Sequence, residues 1–226
     1  MELLVFGHAG ARVLVFPTRC GRFFDYENFG LIARVRERIE AGYLQLYCLD
    51  SVDRETFYCS GAPGYARVRR HQRYEEYVME EVLPLSEQLN RGSFLMTHGC
   101  SLGGYHALNI ALRHPRQFRK AVALSGRYDL TRCVQDFGDL LAGHWDDLVY
   151  FHTPNVYLSN MHEAELLASL RGLEIVLAIG ETDPFRDDNL RLAGTLHRLG
   201  IPHALHVWSG RAHCPREWSK MVELYL

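Results

Sequence analysis

An α/β fold, with a mostly parallel central sheet and helices on both faces, is what this sequence predicts. Three observations predict it. Apolar runs of strand length alternate along the chain with amphipathic stretches of about a dozen residues. Several of the runs are almost uninterruptedly apolar, as strands buried on both faces are. A glycine-flanked serine, Gly99-Cys100-Ser101-Leu102-Gly103, stands where one such run gives way to a helical pattern.

Taken in order, Glu2–Phe6 and Arg12–Phe16 flank Gly7-His8-Ala9-Gly10 and read as an opening hairpin. Phe29–Ala41 places Leu31, Ile32, Val35 and Ile39 at helical spacing, and Gly42 ends it. Tyr43–Leu49 is a strand. Arg67–Arg73 is locally basic, but Glu75, Glu76, Glu80 and Glu81 follow at once, which reads as a charge-balanced solvated helix face. Tyr74–Leu89 is an amphipathic helix interrupted near Pro84. Ser93–Thr97 is a buried strand, and Leu102–Arg113 a helix closed by His114-Pro115. Lys120–Leu124 and Leu173–Ile179 are strands, Asn189–Leu199 a helix capped by Gly200, His203–Trp208 a last strand and Pro215–Leu226 a last helix.

The chain has 226 residues, 47% apolar and 23% charged, enough for one domain with a sizeable core. No repeat or linker divides it, so residues 1–226 are expected to form a single domain. A net charge of -2 gives no case for a nucleic-acid or anionic-membrane partner. No apolar run approaches the roughly 20 residues of a membrane span, and the start lacks the basic region of an export signal. The six scattered cysteines form no CxxC pair, so free thiols and a cytoplasmic location are expected. The sequence selects no oligomeric state.

The serine matches G-x-S-x-G in a strand–turn–helix setting, the nucleophile elbow of the α/β-hydrolase fold. The turn is so sharp that strand and helix nearly touch, and glycines at 99 and 103 remove the side chains that would collide. No lysine follows the glycines, which argues against a phosphate-binding loop. Ser101 is therefore the candidate nucleophile. Cys100 reads as a packed thiol, and His98 as a hydrogen-bonded neighbour rather than the base.

A serine hydroxyl needs a base, and in this fold Ser, Asp or Glu, and His follow one another along the chain. His213 lies in a Gly-containing loop after the last strand and before the last helix. Asp183 follows the last strand but one and is the candidate acid, with Asp129, after Lys120–Leu124, as its rival. Asp187 and Asp188 read as the first turn of the next helix. The developing oxyanion requires backbone donors. Leu102, after the nucleophile, supplies one. Thr18 is the choice for the other, with Arg19 next, since Pro17 has no N–H. No histidine spacing indicates a metal, and no cofactor is called for.

Together these segments resemble the putative-esterase family of α/β hydrolases, which includes S-formylglutathione hydrolases, feruloyl esterases and mycolyltransferases. The resemblance runs through Val13–Gly21, Tyr43–Asp53, Tyr74–Pro84, Gly99–Ala107, Gly180–Asn189 and Gly210–Trp218. It implies the triad Ser101, Asp183 and His213, with Trp218 behind the histidine, and hydrolysis of small-molecule esters or thioesters. Phe16-Pro17-Thr18 departs from the family's His-Gly oxyanion loop. An acyltransferase, or a catalytically silent binding module of the same fold, are the alternatives.

Nearly fifty residues separate the strands ending at Leu124 and beginning at Leu173. The stretch reads either as a helix with core aromatics or as a small cap within residues 127–170, with Trp145 and Tyr150 as candidate pocket walls for short acyl groups.

Overall fold

A computed structural model describes residues 1–226. Seven strands form one sheet: β1 (Leu3–Phe6), β2 (Ala11–Phe16), β3 (Leu44–Leu49), β4 (Leu95–Cys100), β5 (Lys120–Leu124), β6 (Glu174–Gly180) and β7 (His203–Trp208). Their spatial order is β1-β3-β2-β4-β5-β6-β7, and every pairing except β1 with β3 is parallel. The reason lies in burial. All six residues of β3 and all six of β4 are buried, as strands covered on both faces must be.

Side-chain alternation divides the apolar side chains of the sheet between two clusters. Leu14, Phe16, Tyr47 and Leu49 join one apolar cluster, with Tyr74, Leu108 and Leu192. Val13, Val15, Leu46 and Cys48 join the other, with Leu31, Trp218 and Val222. The period of two along each strand thus divides its residues between helices on opposite faces.

The opening hairpin does not form. β1 pairs antiparallel with β3, while β2 lies between β3 and β4. The connection crosses the start of β3 instead of turning back on β1. Gly7 and Gly10 make this possible, since both have positive φ and a Cβ on either would meet the carbonyl of Leu44 or Tyr43 within 2.6 Å.

Helix bounds differ in three places. The stretch expected as one helix at Phe29–Ala41 divides at Val35 into Leu31–Arg34 and Arg36–Glu40, because Val35 leaves helical geometry at φ -111° and ψ 12°. The helix expected from Tyr74 begins at Gly64, so the Arg67–Arg73 run lies inside it, and extends as Gly64–Tyr77, a π turn at Val78–Val82, and Leu83–Leu89. Pro84 lacks the N–H that the regular ladder needs, and the irregular turn directly precedes it. The helix expected at Asn189–Leu199 runs Arg186–Arg198, with Asp187 and Asp188 in its first turn.

Chain order reverses at β2, whose successor β3 lies on one side and β4 on the other. The loops leaving β2 and β4 therefore face each other across a crevice at the C-terminal edge of the sheet, where open α/β sheets bind ligands. No helix is long and apolar enough to cross a membrane.

Candidate active site

Ser101 joins β4 to the helix Leu102–Arg113 with φ 58° and ψ -122°, a conformation a residue with a side chain rarely adopts. Packing enforces it. A Cβ on Gly99 would lie 2.2 Å from the Gly103 carbonyl oxygen, and one on Gly103 would lie 2.2 Å from that of Phe16. The Ser101 N–H donates to the Leu124 carbonyl at 2.8 Å, which anchors the turn to β5. Leu102 opens the helix, so its N–H has no carbonyl to meet within that helix.

The structure brings Ser101, His213 and Asp183 together. His213 Nε2 stands 2.9 Å from Ser101 Oγ, and Nδ1 stands 2.7 Å from Asp183 Oδ2. An ionised carboxylate only accepts, so Nδ1 carries the proton and Nε2 is free to accept from the serine. The Asp183 side chain is fully buried, and its Oδ1 takes the Phe185 N–H at 2.9 Å. The His213 ring packs edge-on against Trp218, whose indole N–H donates to Ser125 Oγ. Gly180 lets the histidine loop lie over the end of β6, since a Cβ there would be 1.9 Å from the Arg211 carbonyl oxygen.

Asp129 is held elsewhere. Its Oδ1 accepts from the Thr131 hydroxyl at 2.6 Å, and its Oδ2 faces Arg191 at 3.6 Å. Cys100 and His98 are both buried beneath the elbow. Burial pushes the Cys100 thiol well up, away from the reactive thiolate. Burial also lowers His98 to about 4, leaving it a neutral ring bonded to the Val122 carbonyl.

A cavity of about 310 Å³ opens over Ser101, lined by Thr18, Leu102, His213 and further residues. Trp145 and Tyr150 are not among them. Trp145 is half exposed and meets the edge of Tyr150, which packs on the core. Tyr150 lies on the helix Asp147–Phe151, N-capped by Asp146, and Trp145 precedes that cap. The apolar walls are Tyr58, Phe137, Leu140 and Phe185 instead. Phe137 and Leu140 do belong to the segment between β5 and β6, but to its first part.

The loop after β2 is tied down by a residue that sequence reasoning passed over. Asp53, buried at the end of the resemblance segment Tyr43–Asp53, accepts the Cys20 N–H at 2.8 Å and faces His106 Nε2 at 3.2 Å. Cys20 has positive φ, so the loop carrying Thr18 is held in a tight, specified shape. Glu181 similarly takes the Gly210 N–H and the Ser209 hydroxyl, and these bonds hold its carboxyl below the ordinary range.

One buried group has metal-ligand spacing: His71, Glu75 and His152. Its carboxylate is already engaged by Arg113 at 2.9 Å and by His114, so a guanidinium stands where a cation's ligand should be free. It lies apart from the cavity lining and is no part of the serine site.

The profile of the family described as Putative esterase matches residues 53–198, close to two thirds of the chain. The chain belongs to that family. The matched span holds Ser101 and Asp183 and ends before His213. It is thus a serine esterase by family, with the family's α/β-hydrolase fold. No curated protein matches the chain in sequence. Among solved structures, a ferulic acid esterase superposes with a TM-score of 0.76 at 17% identity, over 99% of this chain and 90% of that one. An S-formylglutathione hydrolase from Agrobacterium tumefaciens gives 0.74 at 17% identity, over 99% and 86%. The substrate-bound fluorophosphonate-binding serine hydrolase F of Staphylococcus aureus gives 0.66 at 18%, over 96% and 82%. At such identities these likenesses bear on the fold.

Proposed function

We propose that this esterase hydrolyses small carboxylic esters or thioesters through an acyl-Ser101 intermediate. The observation that carries the reading is the continuous relay from Asp183 Oδ2 through the His213 ring to Ser101 Oγ, with contacts of 2.7 and 2.9 Å.

In this account Oγ attacks the ester carbonyl carbon while its proton passes to His213 Nε2. The carbonyl oxygen becomes an oxyanion, met by the N–H groups of Leu102 and Thr18. Asp183 holds the ring in its tautomer and stabilises the imidazolium. The tetrahedral adduct collapses, the C–O or C–S bond breaks, and the imidazolium proton goes to the leaving alcohol or thiol. Water then attacks the acyl-serine with the same histidine as base, releasing acid and Ser101.

The cavity's 310 Å³ lies at the low end of small-molecule sites, which supports short acyl groups. The chain acts as one domain, and the segment 127–170 serves as a small cap, with Phe137 and Leu140 as its contribution to the pocket wall. Six unpaired cysteines support a reducing, cytoplasmic setting.

Fluorophosphonate labelling tests the reading. Wild type takes up the probe and Ser101→Ala does not; equal labelling of both would overturn it.

A further inference from the structure

The wall of the serine cavity has a charge pattern that ester hydrolysis does not require. Of its eleven lining residues three are arginines, Arg19, Arg127 and Arg211, and none is acidic. Neutral esters need no such surround. We propose that the ester taken by this site carries a carboxylate or comparable small anion, bound by Arg127 with Arg19 and Arg211; the proposal rests on Ser101 being the nucleophile.

Arg127 makes the case. It is only 4% exposed, an unusual setting for a guanidinium, and such groups are normally buried against a carboxylate. Here its partners in the chain are backbone carbonyls. Nε donates to Asp129, and Nη2 reaches the carbonyls of Leu130, Arg132 and Gly138. Phe185 lies against the guanidinium at 5.6 Å. These contacts engage Nε and Nη2 and fix the plane of the fork; Nη1 has no hydrogen-bond partner in the chain, and Arg127 lines the cavity.

The nearby carboxylates are spoken for. Asp188 and Asp129 both face Arg191, at 2.6 and 3.6 Å. Asp188 also accepts the Tyr128 and Asp129 N–H groups, and Asp139 accepts those of Leu141 and Gly143. Arg19 and Arg211 are exposed at the cavity mouth, Arg19 over the Tyr58 ring at 5.5 Å. The result is one largely buried guanidinium fixed by backbone carbonyls and two exposed cations at the entrance. Rigid guanidinium forks favour planar oxyanions, and mouth charges raise the local concentration of anions.

The anion could sit on the acyl or on the alcohol part, and paired substrates separate these. In the acyl arm, the p-nitrophenyl monoester of adipate is compared with p-nitrophenyl hexanoate. In the alcohol arm, 4-acetoxybenzoate is compared with its methyl ester. Each rate is corrected for alkaline hydrolysis. Wild type should prefer the anion about tenfold or more in kcat/KM in one arm, as a charge-assisted hydrogen bond allows. Arg127→Met should collapse that ratio. Because Arg127 also ties down residues 129–138, Arg19→Gln and Arg211→Gln are measured beside it, and each should lower the ratio several-fold.

A ratio near one in both arms overturns the proposal while leaving the triad standing, provided wild type labels with fluorophosphonate. So does an equal loss on neutral and anionic esters in the arginine variants, which would make the cluster a general electrostatic aid. If wild type neither labels nor hydrolyses, the triad reading fails. Adipate and 4-hydroxybenzoate binding, followed as a rise in Tm, then decides this proposal alone. A rise lost on Arg127→Met or on the mouth variants upholds the anion subsite while the ester reading falls with the triad, and no rise with either anion overturns both.

Discussion

Asp53 and Cys20 are joined by a 2.8 Å bond from the Cys20 N–H to Asp53 Oδ2, across 33 positions of sequence. Through it a fully buried carboxylate sets the loop that carries Thr18, while its other oxygen meets His106. Asp53→Ala removes the acceptor from both donors. Turnover should fall about tenfold with a smaller change in KM, because the donor position matters most when the oxyanion forms. Asp53→Asn keeps one acceptor and should recover part of the loss. A folded Asp53→Ala protein with wild-type kcat would separate Asp53 from the oxyanion loop.

The two candidate acids separate by the same logic. Asp183→Asn should depress kcat by several orders of magnitude, since an amide can hold the ring in the wrong tautomer and cannot stabilise its charge. Asp129 is bonded to Thr131 and faces Arg191, so Asp129→Asn should cost far less activity. The reverse ranking, measured on one ester, would move the acid to the β5 loop.

Acid should destabilise the fold from near neutrality. Burial lowers His98 and His152 to about 4 and holds His71 well below its ordinary value. The folded state keeps these rings neutral, whereas the unfolded chain takes up protons near pH 6.5. Their contribution is therefore intact above about pH 6.5 and declines as pH falls towards 4. At pH 5 the loss is about 2 kcal/mol for each of His98 and His152. Urea unfolding at pH 7.5 and pH 5 checks this, and an unchanged midpoint would contradict it.

The elbow glycines and an open one should respond in opposite directions. Gly103→Ala places a Cβ against the Phe16 carbonyl and should cost about 3 kcal/mol, by forcing apart backbone that cannot yield. Gly194 lies in the helix Arg186–Arg198 with nothing within 4 Å of its added Cβ, so Gly194→Ala should stabilise by about 0.5–1 kcal/mol. Thermal melts of both variants provide the comparison.

These contrasts also mark what could be read from the chain. Burial on both faces writes itself into sequence as apolar runs, which is why β3, β4 and β5 stand out. The elbow is legible because backbone collision at positions 99 and 103 tolerates only glycine. The partner of β1 is not legible, because two glycines near a turn serve a hairpin and a crossing equally well. Nor is the pocket wall. Trp145 and Tyr150 are aromatic and fall in the right segment, yet composition does not say which aromatics of a segment line the cavity. Arg127 could have been noticed three residues beyond the end of β5, where ligand-facing loops begin, but its lack of a carboxylate partner depends on Arg191 drawing off Asp129 and Asp188.

The most direct test of the account is the covalent intermediate itself. Wild-type protein mixed with a p-nitrophenyl ester, quenched in acid within the first turnovers and analysed by peptide mass spectrometry, should carry the acyl mass on the peptide containing Ser101. Ser101→Ala should carry none and should lose turnover by orders of magnitude. Hydrolysis that proceeds in Ser101→Ala within tenfold of wild type, or an acyl group found on another residue, would contradict it.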